Sequence, residues 1–179
     1  FPYTTLFRSK IRPDLIPGLA ETIGKNGVTS NYSVKTAPYT WELVQALKSG
    51  RAIFTQPPVP LKCPGAPQKA MYLSCYEWAQ QGVLKNIEVE FYNAGGVLFG
   101  VPDFVPPLMN YVKKYGAKLH FNANLVAVDG PAKKAWFDIK DAEGNVTRIE
   151  RDFDMLHVTP PQAPHDCVRN SPLAAADGM

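Results

Sequence analysis

The sequence predicts an α/β domain in which a mainly parallel sheet, layered with helices, is followed by an antiparallel β-meander. Two observations predict it. Strand-like and helix-like stretches alternate between residues 41 and 129, and strands that alternate with helices pair in parallel through crossovers. The helices then stop, and short strand-like runs succeed one another around a Glu143-Gly144-Asn145 turn.

The elements follow in order. Residues 11–33 carry Ile16-Pro17-Gly18-Leu19 and Gly24-Lys25-Asn26-Gly27, loop signals around a short helix. Thr40 is placed to cap a helix over 41–48, closed by Gly50. Ala52-Ile53-Phe54-Thr55 reads as a short apolar strand. The loop over 56–67 has five prolines and one glycine. A helix over 68–81 starts after Pro67, a favoured first-turn residue, and its apolar stripe is Met71, Cys75 and Trp78. A strand spans 87–91. Pro102 opens a helix with predicted buried positions Phe104, Leu108, Tyr111 and Tyr115, ended by Gly116. Strands are expected over 118–121, 124–129, 135–139 and 146–149, and a last one over 154–158 runs into Thr159-Pro160-Pro161. By analogy of element order, this is the Rossmann-like layout of the second nucleotide-binding-type domain in flavoproteins with two such domains.

Composition narrows the function classes. The chain is 45% hydrophobic and 20% charged, ordinary for a globular domain. Its net charge of +3 comes without a compact Lys/Arg block, which argues against nucleic-acid binding. No apolar run reaches the roughly 18 residues of a membrane-spanning helix, although attachment to a membrane surface stays open. Three cysteines, Cys63, Cys75 and Cys167, without CxxC spacing, fit neither a disulfide scaffold nor a zinc site.

The loop after the first central strand carries the chemistry. In a dinucleotide-binding unit this place holds GxGxxG, whose glycines let the backbone approach a pyrophosphate at a helix N-terminus. Here it reads FTQPPVPLKCPGAPQKAMYL, with Gly65 alone and a proline-stiffened path. A nicotinamide partner in this domain is therefore not expected. The loop offers a thiol instead. Cys63 lies just before a helix, between Lys62 and Lys69, where the nucleophilic thiolate is favoured. A structural cysteine in a stiff loop explains the same spacing equally well.

The run Lys62-Cys63-Pro64-Gly65-Ala66-Pro67-Gln68-Lys69-Ala70-Met71-Tyr72-Leu73 resembles the K-C-A-G-A-P-Q-K-x-M-Y-L segment of sulfide:quinone oxidoreductases, in the branch that includes the mitochondrial enzymes. Further segments agree in order: Ile16 to Leu19, Phe99-Gly100-Val101, Asn124-Leu125, Asp154 to Pro161, and Ser171-Pro172-Leu173. Pro64 departs from the family's usual alanine. The resemblance implies an internal fragment, truncated at both ends, of a two-domain flavoprotein. That protein binds FAD, attaches peripherally to a membrane, and passes electrons from sulfide through a cysteine disulfide/persulfide centre to FAD and on to a quinone. A small sulfur acceptor takes the sulfur. Cys63 matches the flavin-facing cysteine of the pair; the second would lie beyond Met179. Lys69, Thr159 and Pro160 are expected near the flavin or quinone, and no metal is expected. The implied location is the bacterial cytoplasmic membrane or the mitochondrial inner membrane.

Domain boundaries follow. Residues 1–9, FPYTTLFRS, look like translated sequencing adapter and are set apart. Residues 10–158 form the Rossmann-like domain with its entry segment, and 159–179 return toward the FAD-binding domain. Cys75 is read as core packing. Cys167 is placed in an exposed loop, and His157 as a core histidine. His120 and His165 lack metal-ligand spacing. Two other functions remain open: a flavin-linked sulfide dehydrogenase with a cytochrome acceptor, and a non-catalytic Rossmann-like interaction module.

Overall fold

A computed structural model describes residues 10–172 and Ala174. The nine N-terminal residues, read above as adapter sequence, lie outside the described residues, as do Leu173 and 175–179.

A five-stranded, all-parallel sheet forms the centre. Its strands are β2 (Val28–Thr29), β3 (Gly50–Gln56), β4 (Ile87–Asn93), β5 (Lys118–His120) and β9 (Met155–His157), in the spatial order β2-β9-β3-β4-β5. A meander of β6 (Ala123–Asp129), β7 (Lys134–Lys140) and β8 (Val146–Asp152) forms a second, antiparallel sheet. The two-residue strands β1 (Lys10–Ile11) and β10 (Gln162–Ala163) pair with each other. The predicted α/β class with a meander is what the chain adopts.

The parallel sheet is covered on both faces, which is why the middle of β3, Ala52-Ile53-Phe54, is apolar on both sides, while β4 alternates with Glu88 and Glu90. Phe54, Phe91 and Met155 point to a layer of helices: α2 (Ala37–Ala46), α3 (Ala66–Gln80) and α4 (Val105–Tyr115). Ile53, Tyr92 and Leu156 point the other way, into a core shared with Phe137 and Leu125 of the meander and Leu19 of the one-turn α1 (Leu19–Thr22). The predicted stripe of α3 is fully buried at Met71, Cys75 and Trp78, and Trp78 Nε1 donates to the Val44 carbonyl at 2.9 Å, locking α3 to α2.

Three expectations need correction. The helix predicted over 41–48 runs from Ala37 to Ala46, with Thr36 at the N-cap. Pro38 in the first turn starts it earlier. Thr40 is inside, its hydroxyl 2.8 Å from that of Thr29 on β2. The helix opened by Pro102 begins as a 3-10 turn over Pro102–Phe104 and becomes α-helical only at Val105. The tighter turn shifts the buried face. Val112 and Tyr115 are buried, whereas Phe104 and Tyr111 are half exposed. Gly116 caps α4 in the left-handed conformation, as predicted. Finally, Cys167 lies in a one-turn helix, α5 (Asp166–Arg169), and is exposed.

Among the described residues, no helix is long and apolar enough to cross a membrane, and no cluster of His, Cys, Asp and Glu could hold a metal ion.

Candidate active site at the carboxyl ends of the parallel strands

Because β2, β9, β3 and β4 are parallel, their carboxyl ends share one edge of the sheet. In open α/β sheets this is the edge at which ligands gather. β3 ends at Gln56 and feeds the proline-rich loop to Cys63; β9 ends at His157 and feeds Thr159 and Pro160.

Cys63 is exposed, and its backbone is left-handed, with φ of 59°. This is unusual twice over. A Cβ penalises the left-handed region, and Pro64 disfavours compact conformations in the residue before it. Hydrogen bonds hold the turn. Ala66 N–H donates to the Cys63 carbonyl at 2.9 Å. The Tyr32 hydroxyl lies 3.0 Å from the Lys62 carbonyl and 3.2 Å from that of Cys63, and donates to this pair of oxygens. Lys62 N–H donates to Gln162 Oε1 at 2.9 Å. Burial, and then the nearby charge of Cys63, push the Tyr32 hydroxyl up to about 12. Tyr32 therefore stays a neutral donor across the ordinary pH range.

In this turn Ala66 N–H is taken by the Cys63 carbonyl and Lys69 N–H by that of Gly65, and Pro67 has no N–H to offer. The start of α3 thus carries a thiol and prolines where a dinucleotide-binding loop carries its glycines.

Buried polar atoms without partners among the described residues include Gln56 Oε1 at the end of β3, His157 Nδ1 and Thr159 Oγ1 at and just after the end of β9, and, further along the chain, Gln162 Nε2 and His165 Nε2. Thr159 is 1% exposed and its N–H donates to Thr55 Oγ1 at 3.2 Å, leaving its own hydroxyl unmatched. Unmatched buried polar groups are few in folded proteins, so several on one edge mark a place built to meet something else. Lys69 projects from the exposed face of the first turn of α3, and neither it nor Lys62 has an ion-pair partner among the described residues. Pro160 is buried. Beside the loop, an open cleft of about 310 Å³ runs between Leu15, Pro58, Val59, Pro60, Asn124 and Gln162.

His157 is a core residue. It is fully buried against Phe54, and its Nε2 accepts the Asn31 N–H at 3.2 Å. Burial lowers its pKa to about 4, so the ring is neutral. Cys75 is also core, and burial pushes its thiol up to about 12. Tyr32, Gln162 and Gln56 were not singled out from the sequence. Tyr32 sits in a Ser-Asn-Tyr-Ser connection that reads as plain loop, and its contact lies thirty residues away.

No family model matches the chain. It is 40% identical over 162 residues to the mitochondrial sulfide:quinone oxidoreductase of Dictyostelium discoideum, a match that covers 90% of this chain and 35% of that protein. It is 37% identical over 163 residues to the Mus musculus mitochondrial sulfide:quinone oxidoreductase, covering 91% and 36%. The chain thus spans about a third of the length of the curated relatives it matches. Among solved structures, it superposes on the sulfide:quinone oxidoreductase of Aquifex aeolicus with a TM-score of 0.64 at 16% identity, covering 87% of this chain and 35% of that one. A chain in the mitochondrial ATP synthase of Tetrahymena thermophila gives a TM-score of 0.68 at 15% identity, covering 96% and 43%. Likeness at such identities shows the shared fold alone.

Proposed function

We propose, from the chain's membership of the sulfide:quinone oxidoreductase family over the third of those proteins that it spans, that it supplies one thiol of a sulfide-oxidising centre. The observation that carries this is the exposed Cys63, held on the turn between β3 and α3 at the carboxyl edge of the parallel sheet. Cys75 is sealed in the core and is not the partner, and Cys167, though exposed, has no counterpart in the resemblance, which implies a partner cysteine outside the given residues.

The chemistry balances as thiol–disulfide exchange. Hydrosulfide attacks one sulfur of a disulfide between Cys63 and its partner. One S–S bond breaks, a persulfide forms on the attacked cysteine, and the other sulfur leaves as thiolate carrying the electron pair. With Cys63 as the released thiolate, the pair is delivered next to the flavin. A small thiol or other sulfur acceptor clears the persulfide, and a membrane quinone is the final oxidant.

FAD, when bound, supplies a two-electron acceptor that hands its electrons onward. The residues present fit one wall of such a site. Thr159 Oγ1 is a buried hydroxyl in need of a partner, and Gln56 Oε1 is a second unmatched group at the adjacent strand end. Lys69 brings a cation with no ion-pair partner among the described residues on the first turn of α3, and Pro160, itself buried, backs the wall. The implied setting is the surface of the mitochondrial inner membrane.

Optical titration of the full-length protein tests this reading. Sulfide should bleach the flavin, and quinone should restore it. A flavin that only NADH reduces would remove it.

A further inference from the structure

The Cys63 turn is held in its strained form by a side chain from a distant segment, and the geometry points to Tyr32 as the positioning residue for the thiol. This deepens the reading of Cys63 given above and rests on it. Free of restraint, a cysteine before proline favours extended backbone with negative φ. Here φ is 59°, which turns the side chain out of the course an extended loop would give it. Such conformations are strained and persist only where surrounding contacts enforce them.

The enforcing contacts converge on the backbone of Lys62 and Cys63. Tyr32 Oη donates to the carbonyls of Lys62 and Cys63, at 3.0 and 3.2 Å, which belong to the two peptides that flank the Cys63 Cα. Gln162 holds the Lys62 N–H from the opposite segment, after β9. Tyr32 is itself fixed to the core. Its N–H donates to Ser30 Oγ at 3.2 Å, and the N–H of its neighbour Asn31 donates to the buried His157 ring. The Ser30 carbonyl accepts the Thr36 hydroxyl at 2.6 Å, which joins the same connection to the start of α2. A continuous path thus runs from the middle of the sheet, through the 30–32 connection, to the backbone of Cys63. The Tyr32 hydroxyl stays protonated across the ordinary pH range, so it remains a donor to this turn.

Tyr32→Phe removes the hydroxyl and keeps the ring. In the full-length protein, amide exchange at Lys62 and Ala66 should speed up roughly three- to tenfold, the effect of losing one hydrogen bond. Exchange at Met71, deep in α3, should not change. Flavin reduction by sulfide should slow about tenfold or more, while flavin content and reoxidation by quinone hold. A merely structural role would not split the two half-reactions. Unchanged exchange at Lys62 and Ala66 overturns the proposal, whatever the protein oxidises. Faster exchange with both half-reactions unaltered also overturns it, since the tether would then position nothing. If Cys63→Ser still reduces flavin with sulfide, the sulfide-centre reading fails, and faster exchange in Tyr32→Phe then supports the tether alone.

Discussion

Glu90 Oε1 sits 3.0 Å from Arg51 Nε, pairing a carboxylate on the central strand β4 with a guanidinium on its neighbour β3. Glu90 is 3% exposed, between the parallel sheet and the meander. Its other oxygen lies 3.2 Å from His120 Nε2 and accepts the Tyr92 hydroxyl at 2.5 Å. Burial alone would raise its pKa. The hydrogen bonds from His120 and Tyr92 and the charges of His120 and Arg51 outweigh burial and bring it down to about 2.

The first prediction follows from that depression. A carboxylate with a folded pKa below its unfolded value adds stability above the unfolded pKa, and the gain is lost as pH falls through the folded one. Glu90 should thus contribute about 3 kcal/mol at neutral pH, a gain that fades between about pH 4.5 and 2. Glu90→Gln should cost on this order at pH 7 and little near pH 2. Denaturant midpoints across that range check it; a pH-independent gap would count against it.

His157 gives a slope in a different window. Its folded pKa of about 4 lies below the ordinary 6.5, so the unfolded chain binds the proton first. Stability should be unaffected by this group above about pH 6.5, then fall as pH drops toward 4, by about 3 kcal/mol in all. His157→Gln keeps an acceptor for Asn31 and removes the titration. The variant should flatten the stability curve between pH 6.5 and 4, read by urea unfolding at stepped pH.

Gly18 should resist substitution. Its φ is 78°, and a Cβ there would stand 1.9 Å from the Val128 carbonyl oxygen of β6. The neighbouring Pro17 carbonyl accepts the Val128 N–H at 3.0 Å, so the turn is pressed against the meander. Gly18→Ala should cost roughly 1–3 kcal/mol for the backbone alone, with the clash adding to it. Thermal unfolding at fixed pH measures the loss, and a variant as stable as wild type would contradict the packing described.

Thiol labelling of the folded protein separates the cysteines by exposure. Cys63 should alkylate well before Cys75, whose sulfur is buried and held protonated up to about pH 12. Cys75→Ser should lower stability by about 1–3 kcal/mol if its hydroxyl goes unpaired, and leave activity per folded molecule nearly intact. Mass-spectrometric mapping of the first labelled site decides the order.

Periodicity made the local elements legible. Met71, Cys75 and Trp78 define the buried face of α3, and the buried middle of β3 shows as the short apolar run Ala52-Ile53-Phe54. The sheet order was not legible. β9 slots between β2 and β3, pairing Leu156 with both Val28 and Ile53, a contact across more than a hundred residues that no local pattern encodes. On α4, Leu108 and Tyr115 pack on the core as expected, whereas Tyr111 gives way to Val112 and Phe104 falls in the 3-10 turn, where the angle per residue differs. At the site, the Lys62–Leu73 segment drew attention to Cys63. Tyr32 was missed because its polar tip, thirty residues away in sequence, acts only through the backbone of that turn.

The central claim concerns the thiol, and Cys63→Ser in the full-length, FAD-loaded protein tests it most directly. Serine is nearly isosteric, so the exposed turn and the flavin content should be retained. It cannot form the disulfide that hydrosulfide opens, nor leave as the electron-rich thiolate. The quantity to measure is the rate at which sulfide bleaches the flavin. The account predicts a fall of orders of magnitude, with quinone-driven reoxidation of chemically reduced flavin unchanged. A Cys63→Ser protein whose flavin sulfide still reduces at close to the wild-type rate would contradict it.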